Sequence, residues 1–164
     1  VGNLSGDRGW RRFLRTTVVV PPSAGADWSY KIPGAELHQL LTVQGTLVAS
    51  AAVANRYPSL AMGDGTTVYA RSRAAGAVVA GSTSIVLWTE GAYPGAANGI
   101  LGSYLPTAMM SEGETIASVT DGLDVADQWS AIIIRSIVTQ VKYGEIYLDD
   151  VPEMAVYVVN SPSE

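Results

Sequence analysis

The stretch Ala126 to Val138, reading Ala-Asp-Gln-Trp-Ser-Ala-Ile-Ile-Ile-Arg-Ser-Ile-Val, constrains the fold more than any other part of the chain. A run this rich in β-branched residues, with a tryptophan near its start, reads as a strand. Alternate positions put Trp129, Ala131, Ile133 and Ile137 on one face, with Arg135 among them. The other face receives Ser130, Ile132, Ile134 and Val138. Both faces are largely apolar, whereas a strand with one face in water alternates more sharply. The expectation is a central strand that fills a sandwich core on one side and meets a second layer, such as another subunit, on the other.

The rest of the chain supplies strands to pair with it. Arg15 to Val20 is a β-branched run stopped by Pro21-Pro22, and Trp28 to Ile32 is a short strand closed by Pro33-Gly34. From Leu37 to Val53 apolar positions (Leu37, Leu41, Val43, Leu47, Ala49, Ala51, Val53) alternate with His38, Thr42, Gln44, Thr46 and Ser50, with Gly45 as a place for a bulge. Tyr57 to Met62 and Thr66 to Ser72 flank Gly63-Asp64-Gly65, which predicts a hairpin with an exposed tip. Further strands are predicted at Ser82 to Thr89, Glu114 to Thr120, Val141 to Leu148 and Met154 to Val159, and Glu90 to Pro106 reads as a long irregular connection. Seventeen glycines and eight prolines suit short strands joined by tight turns. The fold class is therefore all-β, an antiparallel β-sandwich of jelly-roll-like form. At 164 residues one core suffices. Its parts are an N-terminal arm and first strand over residues 1–20, a sandwich over 21–140, and C-terminal strands or an extension over 141–164.

Charge is sparse, 15% of residues against roughly 25% in ordinary soluble domains, so much of the surface is neutral or hidden in an assembly. It is also unevenly placed. Up to Met110 eight basic residues face five acidic ones, and from Ser111 onward two face ten, giving +3 and −8. Arg8, Arg11, Arg12 and Arg15 crowd into the first fifteen residues around Trp10 and Phe13. Such an arm can dock on an acidic neighbour, so Arg8, Trp10, Arg11, Arg12, Phe13 and Arg15 are the interface candidates, with Trp129 a core or interface residue. The same residues could suit nucleic acid, but a pI near 4.8 makes the body repel phosphate. No apolar run reaches the length of about 18 residues that marks a bilayer span, and the start lacks the pattern of a cleaved leader.

Catalytic chemistry finds little to work with. There is no cysteine, and His38 is the sole histidine, so no thiol nucleophile or multi-histidine metal site exists. His38 lies on the polar face of its predicted strand, as a surface or interface residue, and no Gly-x-Ser-x-Gly elbow accompanies it. Asp121, Asp124 and Asp127 recur at every third position, not at the alternate positions of a calcium loop, and read as turn formers. The pairs Glu112/Glu114 and Asp149/Asp150 could supply two carboxylates, but strand neighbours such as Asp149 and Asp150 point to opposite faces. No catalytic, cofactor or metal residues are assigned. Trp28, Tyr30, Trp88 and Trp129 could form a sugar-stacking platform or, more in keeping with strand tryptophans, core and interface.

Four stretches together resemble small virion proteins of tailed bacteriophages. They are Ala24-Gly25-Ala26-Asp27-Trp28-Ser29-Tyr30, then Ala52-Val53-Ala54-Asn55-Arg56-Tyr57-Pro58, then Trp88, and last Thr120 to Ala131 with Gly122-Leu123 and Ala126-Asp127-Gln128-Trp129-Ser130-Ala131. The likeness covers Pro21 to Val138, and the arginine-rich start and the end from Val141 to Glu164 depart from it. It implies a non-enzymatic structural component of the virion, assembled in the host cytoplasm. The expected role is a capsid decoration or cement protein that forms a homo-oligomer and contacts major capsid, neck or fibre proteins, without a cofactor or membrane. The alternative is a head-fibre or tail-associated module that recognises a host glycan.

Overall fold

A computed structural model describes residues 8–91, 95–106, 109–143 and 146–147. Every regular element among these residues is a strand. In chain order they are β1 (Arg8–Val19), β2 (Ser29–Lys31), β3 (Glu36–Val48), β4 (Tyr57–Gly63), β5 (Val68–Arg73), β6 (Thr83–Thr89), β7 (Ala96–Ala97), β8 (Ile100–Tyr104), β9 (Met109–Ser111), β10 (Thr115–Asp121), β11 (Gln128–Tyr143) and β12 (Ile146–Tyr147). The large sheet has the order β1-β11-β3-β6-β8-β7, with β12 on β11 and β9 on β3; the small sheet has the order β2-β10-β4-β5. Their facing sides share one core. Val43, Leu47, Trp129, Ile132 and Ile134 from the large sheet meet Leu60, Met62 and Ile116 from the small one, with Trp28 and Ile32 beside β2. The fold is thus an all-β sandwich, as the strand pattern predicts, with one parallel pair, β6 and β8, that an all-antiparallel sandwich lacks.

The apolar stretch is central, since β11 is hydrogen-bonded to β1 on one side and to β3 on the other. Its faces differ from simple alternation. Ser130 pairs with Thr46 but the next pair is Ile133 with Gln44, so Ala131 and Ile132 together oppose Gly45. Ala131 takes φ 46 to make this bulge, and from there the parity reverses. The buried residues of β11 are Trp129, Ile132, Ile134, Ser136, Val138 and Gln140. A second irregularity falls in β3: Arg135 pairs with Thr42 and Ser136 with Leu40, leaving Leu41 as the extra residue. Before it, the inward residues are Glu36, His38 and Leu40, and after it Val43, Gly45 and Leu47. His38 therefore points into the protein, not outward as alternation predicts.

Other boundaries shift for local reasons. The first strand starts at Arg8 and not at Arg15, because β11 runs on to Tyr143 and offers a partner to every residue of β1. The arm, from Arg8 onward, is thus part of the chain's own sheet, and residues 1–7 lie outside the described residues. Val141 to Tyr143 finish β11 and do not open a new strand, so β11 crosses the expected boundary at 140. Met154 to Val159 lie outside the described residues. Glu90 to Pro106 is not an irregular connection throughout, since Asn98 and Gly99 take positive φ in a turn that folds β7 onto β8. The hairpin forms between β4 and β5. Asp64 caps its exposed tip by accepting from Thr66 N at 2.8 Å and Thr67 N at 2.7 Å.

Trp129 is fully buried, its ring lying over Gly45, where an added Cβ would stand 2.9 Å from Trp129 Cζ3. Gly45 thus serves by its missing side chain, and the bulge sits in the strand opposite. Trp129→Ala should cost about 3–5 kcal/mol, and Gly45→Ala, which crowds the ring, about 1–3 kcal/mol. Urea unfolding followed by tryptophan fluorescence will measure both, and an unchanged midpoint for either would refute the packing described.

Candidate functional site

Three places in the fold gather polar or unpartnered groups. The first is the end of the sandwich where the loops 49–56, 122–127 and 23–28 meet. Arg56 and Asp127 are both buried there, with Arg56 Nε donating to Asp127 Oδ2 at 2.8 Å and Nη2 to Oδ1 at 3.0 Å. The remaining guanidinium hydrogens go to Ser50 Oγ and to the carbonyls of Ala52 and Ala54. Asp127 also accepts from Ser50 N and Asp124 N, each at 2.7 Å. Burial opposes ionisation of Asp127, but the hydrogen bonds from Arg56 and from the Asp124 and Ser50 amides outweigh it and hold its pKa at about 2. Next to it, Gly25 N donates to Asp127 O. Asp27 accepts from Ser118 Oγ, Thr120 N and Thr120 Oγ1. The turn aspartates do not converge on a cation: Asp127 holds Arg56, Asp124 caps Ala126 N, and Asp121 meets Arg71 at 3.4 Å.

The second place is a buried polar cluster at the other end of β3. His38 is fully buried, with Nε2 2.8 Å from Glu36 Oε2 and Nδ1 3.0 Å from Ser136 Oγ. Since a carboxylate only accepts, Nε2 carries the donated proton. Glu36 also accepts from Arg15 Nη1 and from Gln140 Nε2 at 2.8 Å. Burial would raise the Glu36 pKa, but the hydrogen bonds from Arg15, His38 and Gln140 bring it below the ordinary carboxylate value. Serine, histidine and a carboxylate in line resemble a nucleophilic triad, yet Ser136 and His38 have no exposed surface. A substrate carbonyl cannot approach Ser136 Oγ. The cluster neutralises charge inside the sheet, and sequence alternation missed it because the extra residue Leu41 reverses the face of β3.

The interface candidates divide accordingly. Arg15 is turned inward to Glu36, and Phe13 lies between the guanidinium groups of Arg11 and Arg15, at 4.9 and 5.2 Å from its ring centre. Arg12 points outward and donates to Gln39 Oε1 at 3.0 Å. Arg8 and Trp10 belong to β1 by their backbone, and their side chains lie outside the described residues. From Arg8 onward the arm is thus a strand of the chain's own sheet, in which Arg11, Arg12, Phe13 and Arg15 make contacts within the chain. Trp129 belongs to the core. Glu112 and Glu114 do not pair, since Glu112 faces Ala35 N and Glu114 accepts from Tyr69 Oη and Ser111. Asp149 and Asp150 lie outside the described residues.

The third place is the outward face of the large sheet. Register and burial put Leu14 and Val18 of β1, Ile133 and Ile137 of β11, Leu37 of β3, and Ile85 and Leu87 of β6 on this side. Leu14 is 63% exposed, Val18 72% and Ile85 41%. Between them stand Thr16, Thr139, Gln39, Gln44 and Thr46. On β1, β11, β3 and β6 the outward side chains within the described residues include Arg12 and Arg135 and no carboxylate. An apolar and hydroxyl-rich face of this breadth is unusual in water. Trp28, Trp88 and Trp129 take no part in it, being buried, with Trp88 Nε1 donating to Ser72 O at 3.0 Å.

Comparison with known proteins adds no identity: no family model, no curated protein and no solved structure matches the chain.

The ion pair gives a direct test. Asp127→Asn would leave Arg56 buried without its counter-charge, at an expected cost of about 3–5 kcal/mol. Because the folded pKa of Asp127 is depressed, its stabilisation is complete above the unfolded value of 3.8 and is lost as pH falls towards about 2. The difference in stability between the parent and Asp127→Asn should accordingly be largest near neutral pH and shrink below pH about 4, as measured by denaturant titrations across that range.

Proposed function

We propose that this chain is a non-enzymatic structural subunit of a tailed-phage virion, a capsid decoration or cement protein that lays the outward face of its large sheet on another protein layer. The observation that carries the reading is that face: broad, rich in aliphatic, threonine and glutamine side chains, and without a carboxylate on β1, β11, β3 or β6 among the described residues. Such composition suits a lasting protein contact, whose centre is poor in charge. Arg12 and Arg135 favour a partner that brings acidic groups to meet them. The most reactive groupings of side chains, around Arg56 and around His38, are spent on internal hydrogen bonds. The phage assignment itself rests on the resemblance of the Asp-Trp-Ser-Tyr, Asn-Arg-Tyr-Pro and Asp-Gln-Trp-Ser stretches.

The glycan-binding alternative loses support with the burial of Trp28, Trp88 and Trp129, which removes three of the four aromatic residues from any stacking platform. The test uses exposed positions so that the fold survives. Val18→Glu and Ile85→Glu, added to particles lacking the protein, should each reduce bound copies at least tenfold at limiting concentration, with unchanged circular dichroism. Undiminished occupancy would reject this face as the contact, and specific capture on a glycan array would favour the alternative.

A further inference from the structure

The outward face of the large sheet holds a charge that its surroundings leave unmatched. Arg135 lies midway along β11, opposite Thr16 of β1 on one side and Thr42 of β3 on the other, with Ile133 and Ile137 flanking it along its own strand. It is exposed, and no ion pair, hydrogen bond or ring contact joins it to another described residue. The other arginines with described side chains are all engaged: Arg15 with Glu36, Arg56 with Asp127, Arg71 with Asp121, Arg12 with Gln39, and Arg11 and Arg73 over the rings of Phe13 and Tyr57. Building on the reading of this face as the subunit's contact, we propose that Arg135 receives a carboxylate from the protein layer that covers the face, and that this single contact decides which surface the face accepts.

A guanidinium stays charged throughout the ordinary pH range, so a layer laid over Arg135 strips water from a full positive charge. A covered charge without a counter-charge opposes association, and the described residues around it offer none. The outward residues of β1, β11, β3 and β6 among those described include no carboxylate, and Thr16 and Thr42 are neutral. The anion must therefore come from the partner. The planar fork of a guanidinium suits a carboxylate or a phosphate through two parallel hydrogen bonds, and the surroundings choose between them. Leu14, Val18, Ile133 and Ile137 gain only from a surface that sets apolar groups around its anion, which a protein does and a phosphate polymer does not. A net charge of −5 also disfavours a polyanion. The hydroxyls of Thr16 and Thr42, on the same cross-strand row, are donors for the lone pairs that the guanidinium leaves over. Because the paired hydrogen bonds fix direction as well as charge, a surface that sets a lysine or an aliphatic side chain against Arg135 is rejected.

Binding of the full chain to particles lacking the protein is the measurement, with circular dichroism confirming that each variant is folded. Arg135→Leu should weaken binding about thirtyfold or more, because it leaves the partner's carboxylate covered and unpaired. Arg135→Lys keeps the charge but not the fork, and should lose less. On the particle, a water-soluble carbodiimide should couple the amine introduced by Arg135→Lys to the carboxylate it touches, and mass spectrometry should place that link on one Asp or Glu of a particle protein, with no such link in the parent. Failure of the parent to bind at all would reject the contact reading and this proposal with it. If the parent binds and Val18→Glu weakens it while Arg135→Leu binds as tightly as the parent, the face stands as the contact and the carboxylate on Arg135 is overturned alone. A link to a carboxylate of the chain itself, such as Asp149 or Asp150, or loss of parent binding on nuclease treatment, would assign the anion to another source and equally overturn it.

Discussion

The sandwich is held shut at one end by the buried pair of Arg56 and Asp127. Moving two charges out of water costs more than their attraction alone returns unless the remaining hydrogen-bonding capacity of both groups is met. Here it is met by the loops themselves: Ser50, Ala52 and Ala54 take the guanidinium hydrogens, and Ser50 N and Asp124 N satisfy the carboxylate. The pair therefore fixes the conformation of the β3–β4 connection and of the β10–β11 turn at once. Asp127 O accepts from Gly25 N, and Val125 packs so near Gly25 that a Cβ there would stand 2.7 Å from Val125 Cα. The loop before β2 is thereby drawn into the same knot.

Much of this fold was legible because period-two patterning and turn chemistry act over short distances. The hairpin at Gly63-Asp64-Gly65 and the buried apolar run of β11 needed only local information. What alternation could not reveal were the two single-residue irregularities, at Ala131 and Leu41, because a bulge is set by register against a partner strand. Each reverses a face. The cost to the site reading was specific: His38 moved from the predicted outward face to the interior, and Glu36 and Ser136 went unnoticed as its partners. Gly45 was visible as an anomaly in β3, but its reason, the indole of Trp129 lying over it, depends on a contact between residues 84 positions apart in sequence.

Charge shows the same limit in another form. Along the sequence the basic residues gather early and the acidic ones late, which suggests an arm seeking an acidic neighbour. In the folded chain the two halves interleave, since β1 lies on β11 and β4 lies on β10. Arg56 meets Asp127 and Arg71 meets Asp121, each an early arginine with a late carboxylate, while Arg15 finds Glu36 two strands away. Among the described residues strand pairing thus brings early arginines to late carboxylates, which the linear charge pattern does not show.

The two outward faces are consequently unlike. On the small sheet Arg71 is paired with Asp121, Tyr69 with Glu114, and Arg73 lies over the ring of Tyr57 at 4.2 Å. Burial, followed by the hydrogen bond to Glu114, pushes the Tyr69 hydroxyl pKa up to about 12, so it stays a donor throughout the ordinary pH range. Between these groups lies a shallow groove of about 180 Å³ lined by Ala61, Gly63, Ala117 and Val119. Several charged groups of that face are thus matched locally. The large sheet has no such matching on its outer side, where threonines and glutamines separate exposed aliphatics and a lone arginine, Arg135, stands on the central strand. Since hydrophobic association is driven by apolar area removed from water, the exposed Leu14, Val18 and Ile85 make covering this face favourable. The two sheets thus differ in what they turn outward, ion pairs and hydrogen-bonded polar groups on the small one and aliphatics set among threonines and glutamines on the large one.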